Sequence, residues 1–180
     1  VWLIWNKGMI ADKAYKVRHI IWIYIYLFYG YLAVQEAAGI GTIWDLIAYG
    51  KLDNSINLIP FSSEGAMTYI LNIIMFMPLG FLLPLIWKNF RNAKKVVLMG
   101  FLMSLAIEIC QLFNIRTTDI DDLIMNTLGT LVGYCCWKVF SLIFRNAGTK
   151  CVEMKKSEPV IYMFGGILGL FLLYNWRVFN

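Results

Sequence analysis

The sequence predicts an all-α membrane protein of about five transmembrane helices, N-terminus inside and C-terminus outside. Three observations carry that prediction. First, 60% of the 180 residues are hydrophobic and 15% charged, with mean hydropathy +0.66. Soluble domains run about 45–50% apolar and about 25% charged. A domain this small cannot cover its surface with so few charges. The same composition excludes a disordered chain and a disulfide-rich secreted scaffold. Second, five apolar runs approach the roughly 20 residues that cross a bilayer. Third, basic residues gather on alternate connectors, as cytoplasmic loops require.

The spans are predicted at 20–38, 67–87, 96–115, 123–144 and 160–176. No cleavable signal peptide is expected, because the first run is full length and lacks a small-residue cleavage site after it. The chain begins with Val, and Met9 is a candidate start. Residues 1–19 carry Lys7, Lys13, Lys16 and Arg18, and the connector 88–95 carries Lys88, Arg91, Lys94 and Lys95. After the fourth span come Lys138, Arg145, Lys150, Lys155 and Lys156. Only Lys51, Arg116 and Arg177 fall on the other side, with Glu36, Asp45, Asp53, Glu64, Glu108, Asp119, Asp121 and Asp122. The net charge of +5 is then a difference between a basic inner and an acidic outer face. The basic face meets anionic lipid, and no nucleic-acid partner is needed to explain it. Trp22, Trp87 and Trp137 fall at predicted inner ends and Trp176 at an outer end, which fits indoles at headgroup level.

The connector 40–61 is unusually apolar for a loop. Ile43, Trp44 and Ile47 have helical spacing, and Asn57-Leu-Ile-Pro-Phe61 follows. An external interfacial helix and a partly buried, re-entrant turn resting on the bundle are expected. Cys110, Cys135, Cys136 and Cys151 form no C-x-x-C pair and read as small apolar side chains. His19, the single histidine, cannot build a His-rich metal site.

Ionisable groups inside a membrane are costly and point to function. Ser104, Glu108 and Gln111 share one face of the third span. Asp119, Asp122, Asn126, Gly129 and Gly133 share one face of the fourth. Asn72, Phe76 and Gly80 do so on the second. Three helices can thus direct polar groups at one outer-leaflet pocket. Part of this pattern also has a structural explanation. Asp119 and Asp122 read as an N-cap and a first-turn acid, and Arg116 follows a helix C-terminus. Gly129–Gly133 and Gly165–Gly169 read as close-packing motifs, with Gly80 a further packing position. Glu108 lies about two turns inside its helix and needs a partner, for which Arg116 is the nearest external cation in sequence.

Four pieces in order resemble the VanZ-like family over about 57–137: Asn57-Leu-Ile-Pro-Phe61, Asn72-x-x-x-Phe76-x-Pro78-Leu-Gly80, Ser104-x-x-x-Glu108-x-x-Gln111, and Arg116-x-x-Asp119-x-x-Asp122-x-x-x-Asn126-x-x-Gly129-x-x-x-Gly133. The resemblance implies a single VanZ-like domain over 1–180 in a multi-pass bacterial plasma-membrane protein. It also implies a link to reduced susceptibility to glycopeptides of the teicoplanin type.

The expected function is a non-enzymatic pocket engaging a lipid, a lipid-linked wall precursor or a lipoglycopeptide. Arg116 would meet a phosphate or carboxylate, while Asn72, Gln111 and Asn126 supply neutral bonds. Asn57–Phe61 would be its lid or wall, and Glu108 would hold Arg116 or a ligand amine. An alternative is a lipid-acting enzyme using Glu108, Asp119 and Asp122 as Mg²⁺ ligands or acid–base groups. Ser104 beside a lone carboxylate makes a weak nucleophile. A third reading is a partner-binding scaffold, with homodimer contact at Gly165–Gly169. No internal repeat supports a secondary transporter. No cofactor is expected.

Overall fold

The structure is a computed structural model that describes residues 13–35, 56–61, 65–111, 118–144 and 157–176. Its α-helices are α1 (Lys13–Ala33), α2 (Ala66–Ile86), α3 (Ala93–Gln111), α4 (Ile120–Ile143) and α5 (Glu158–Tyr174). A 3₁₀ turn, Lys88–Phe90, joins α2 to α3. Two short strands, β1 (Ile56–Asn57) and β2 (Thr118–Asp119), pair in parallel with Ile56 beside Thr118 and Asn57 beside Asp119.

Local chemistry sets the helix ends. Asn92 starts α3, its Oδ1 accepting from the Lys94 amide at 2.9 Å. Asp119 starts α4 by accepting from the Asp121 amide at 2.9 Å, with Asp121 and Asp122 in the first turn. Pro159 opens α5, where its missing N–H removes no helical bond. Pro78 and Pro84 lie inside α2, a position that membrane helices tolerate better than soluble ones. Helix α1 begins at Lys13, ahead of the first predicted span at 20–38, and residues 36–38 lie outside the described residues.

Side-chain pairs set the directions of the helices. Gly129 and Gly133 of α4 meet Ile73 and Met77 of α2, so these two helices run parallel. Asn126 meets Ser104, and Thr130 meets Gly100, so α3 and α4 run antiparallel. Tyr29 donates to the Met75 carbonyl while His19 lies by Trp87, so α1 and α2 are antiparallel. His19 bonds Glu158 and Gln35 bonds Tyr174, so α1 and α5 are parallel. The five helices therefore alternate. One end gathers Arg18, Lys88, Arg91, Lys94, Lys95 and Lys138, and the other gathers Glu108, Asp119, Asp121 and Asp122.

The closest approach is between α2 and α4. A Cβ on Gly80 would sit 1.9 Å from the Thr130 carbonyl oxygen, and one on Gly133 would sit 2.0 Å from that of Met77. Only hydrogen fits there, so the two backbones touch. Around this contact Phe76, Leu79, Leu83, Val96, Met103 and Ile107 form the core.

Polar groups are buried alongside the apolar core, and much of the outer surface is apolar. Ser104, Asp121, Asn126 and Thr130 are buried, while Phe28, Ile74, Leu98, Val139 and Leu173 face outward. Water would penalise that coat, and a bilayer favours it. By length and composition, α2 and α4 are long and apolar enough to cross a membrane, and α5 is a shorter apolar helix.

The tryptophan expectation needs correction. Trp87 and Trp137 are buried in the bundle, not presented to headgroups. The Trp87 indole N–H is consumed internally, by Glu158. Gly165 and Gly169 also differ from expectation, since nothing lies within 4 Å of a Cβ placed on either. Among the described residues they bring no helices together.

Candidate functional site

The acidic end is built around the start of α4. Asp119, Asp122 and Asn126 each bond a different neighbour. Asp119 accepts from Asn57 Nδ2 at 3.1 Å, tying the 56–61 segment to α4 beside the β1–β2 pair. Asp122 accepts from Asn72 of α2. One turn later, Asn126 Nδ2 donates to Ser104 Oγ of α3 at 3.0 Å.

Asp121, in the sequence only one more external acid, accepts from both the 56–61 turn and α2. It is fully buried. Its Oδ1 and Oδ2 accept from the Phe61 amide at 2.8 and 3.0 Å, and Oδ2 accepts from the Tyr69 hydroxyl at 2.8 Å. A buried carboxylate is stable only with such donors. Phe61 in turn adopts φ 61°, a left-handed conformation rare for a side chain of its bulk. Such a conformation costs about 1–3 kcal/mol and persists where surrounding bonds enforce it. Here the two Asp121 contacts and the Phe61–Tyr69 ring contact, with centroids 6.1 Å apart, do so.

The 57–61 turn therefore rests on the bundle through its backbone, while its apolar side chains point away. Leu58, Ile59 and Phe61 are 64–69% exposed. The expectation of a partly buried turn is corrected in that respect. Asn57 faces inward, and the hydrophobic side chains face outward.

Glu108 and Gln111 are buried on the α3 face that carries Ser104. The Asn126 Oδ1 is buried with no hydrogen-bond partner among the described residues. Such an acceptor costs about 1–3 kcal/mol unless something donates to it. The structure thus gathers Asn57, Asn72, Ser104, Glu108, Gln111, Asp119, Asp122 and Asn126 at one end, mainly as helix-to-helix pairs. Arg116 and the 40–55 part of the connector lie outside the described residues. Among the described residues, no three His, Cys, Asp or Glu side chains are grouped to hold a metal ion, and Glu108, Asp119 and Asp122 make no such set.

A second buried polar cluster, at the basic end, escaped sequence reasoning. Glu158 Oε2 accepts from the Trp87 indole at 2.8 Å and lies 3.3 Å from His19 Nε2. Tyr162 donates to Oε1 at 3.3 Å. This arrangement joins α1, the end of α2 and the start of α5. No signal in the sequence links His19 to an acid 139 positions away.

Comparison with known proteins supplies the remaining context. No solved structure matches the chain. Protein VanZ of Enterococcus faecium is 35% identical over 134 residues, covering 73% of this chain and 77% of that protein. The VanZ/LLP1 family description matches residues 20–143, which include the α4 start, its partners on α2 and α3, and the pinned 56–61 turn. On both grounds the chain belongs to the VanZ/LLP1 family.

Proposed function

We propose that this protein is a multi-pass envelope protein whose acidic end faces outward and engages an amphiphile without catalysis. The observation that carries the reading is the turn pinned by Asp121. It exposes Leu58, Ile59 and Phe61 at the same end of the bundle as the buried Glu108 and Asn126. An amphiphile needs both surfaces at one end. Its apolar tail would lie against the turn, and its head would donate to the Asn126 Oδ1 and Glu108. A lipid-linked wall precursor and a lipoglycopeptide both have that division. Basic residues at the opposite end match the cytoplasmic rule, which supports this orientation. Membership of the VanZ/LLP1 family supports reduced susceptibility to teicoplanin-type glycopeptides as the outcome.

Expression in a susceptible Gram-positive host tests the proposal. Wild-type protein should raise the teicoplanin concentration needed to stop growth. Asn126→Ala and Glu108→Gln should each abolish that gain while membrane levels stay normal. Full protection from both variants would overturn the proposed site.

A further inference from the structure

A cavity separate from the acidic side chains opens midway along the bundle. It measures about 220 Å³ and lies between α1 and α5, backed by α2 and α3. Tyr26, Gly30 and Val34 line it from α1, and Tyr162, Gly166 and Leu170 from α5. Each stripe covers eight residue steps, so the cavity extends along the helices for about 12 Å. For comparison, a cavity of about 150 Å³ with apolar walls stays dry and takes up benzene.

Three features keep this space open. The His19–Glu158 contact and the Gln35–Tyr174 bond pin α1 to α5 at both ends with the same offset of 139 residues. Between the pins, Gly30 and Gly166 leave open space where side chains would otherwise close the gap, with nothing within 4 Å of a Cβ on either. Gly166 is itself exposed, so the cavity reaches the apolar outer surface. Its inner end lies toward the basic end of the bundle: Tyr162 is one turn from Glu158, and Tyr26 packs on Trp87 with ring centroids 5.1 Å apart. Beyond these residues come Arg18 and Lys88, both exposed.

We infer that this cavity binds one acyl chain of an anionic phospholipid. The apolar lining accepts the chain, and the basic end beside Arg18 and Lys88 attracts the headgroup. In a bilayer, hydrocarbon is the medium that fills an apolar opening of this kind. Basic residues at the cytoplasmic end of a helix bundle select anionic headgroups. The inference does not depend on the acidic end, and its readout is lipid occupancy, not drug susceptibility.

The test reconstitutes the full chain in phosphatidylcholine vesicles. In parallel samples, a minor fraction of phosphatidylglycerol or of phosphatidylcholine carries a photoreactive diazirine within one acyl chain. Adducts are mapped by peptide mass spectrometry. Phosphatidylglycerol should label 26–34 and 162–170 several-fold more than phosphatidylcholine does. Both lipids should label the exposed Ile70 and Ile74 face of α2 equally. Gly30→Leu with Gly166→Leu should remove the excess on α1 and α5 and leave α2 labelling unchanged. Arg18→Gln with Lys88→Gln should remove the preference for phosphatidylglycerol. Equal labelling by the two lipids in the wild-type protein would overturn the inference, and that comparison needs no variant to fold.

Discussion

Replacing Gly133 by Ala tests the backbone contact on which the bundle is built. The new Cβ would lie 2.0 Å from the Met77 carbonyl oxygen, whereas ordinary contact begins near 3.4 Å. The obstacle is backbone, so no side chain can swing aside and α2 must move away by about 1.4 Å. Overpacking of this kind costs about 1–3 kcal/mol. A gap of 0.5–1 Å also forfeits about a quarter to a half of each dispersion contact along the seam. Together these amount to about 3 kcal/mol. Against them stands the helix preference for Ala over Gly, about 1 kcal/mol. The net loss of about 2 kcal/mol is roughly a thirtyfold fall in the folding equilibrium. Gly165→Ala provides the control, because nothing lies within 4 Å of its Cβ and only the helix preference remains. Thermal unfolding of the purified protein in detergent, followed by circular dichroism, should lower the midpoint for Gly133→Ala and raise or maintain it for Gly165→Ala. Equal midpoints for the two variants would refute the claim that α2 and α4 meet through their backbones.

Two further outcomes follow from the polar clusters. Asp121→Asn keeps the shape but loses the charge on which the Phe61 amide and Tyr69 hydroxyl converge, and charge-assisted bonds are worth about 1.5–3 kcal/mol. Hydrogen exchange at the Phe61 amide should quicken at least tenfold, and an unchanged rate would show that Asp121 does not hold the turn. Glu158→Ala leaves the buried Trp87 indole N–H without its acceptor and removes the His19 contact, and an unsatisfied buried donor costs about 1–3 kcal/mol. Detergent unfolding should show a clear loss of stability, and a wild-type midpoint would remove the cluster from the account of how α1 joins α5.

Much of the acidic end is legible in the sequence because helical periodicity is a local property. Ser104, Glu108 and Gln111 must share a face if the segment is helical, and so must Asn126, Gly129 and Gly133. A cap followed by acids at Asp119–Asp122 is readable for the same reason. Partners across the chain are not encoded that way. Asp121 reads as one more external acid until α2 and the 56–61 turn bring Tyr69 and the Phe61 amide against it. Trp87 looks like an interfacial tryptophan until α5 supplies a carboxylate for its N–H. The two glycine pairs have the same spacing, yet Gly129–Gly133 faces a backbone and Gly165–Gly169 faces open space.

Composition and charge order by themselves pointed to a membrane protein with basic and acidic residues grouped on alternate connectors. Those conclusions need only the count of apolar residues and the positions of Lys, Arg, Asp and Glu along the chain. Tertiary structure alone decided which polar groups are bonded to one another, where Phe61 is held in its left-handed conformation, and that a cavity remains between α1 and α5. The physical reason is range. A hydropathy run or an i, i+4 spacing acts within a few turns of one helix. The bonds from Glu158 to His19 and from Asp121 to Phe61 span 139 and 60 residues, and exist only once the helices have packed.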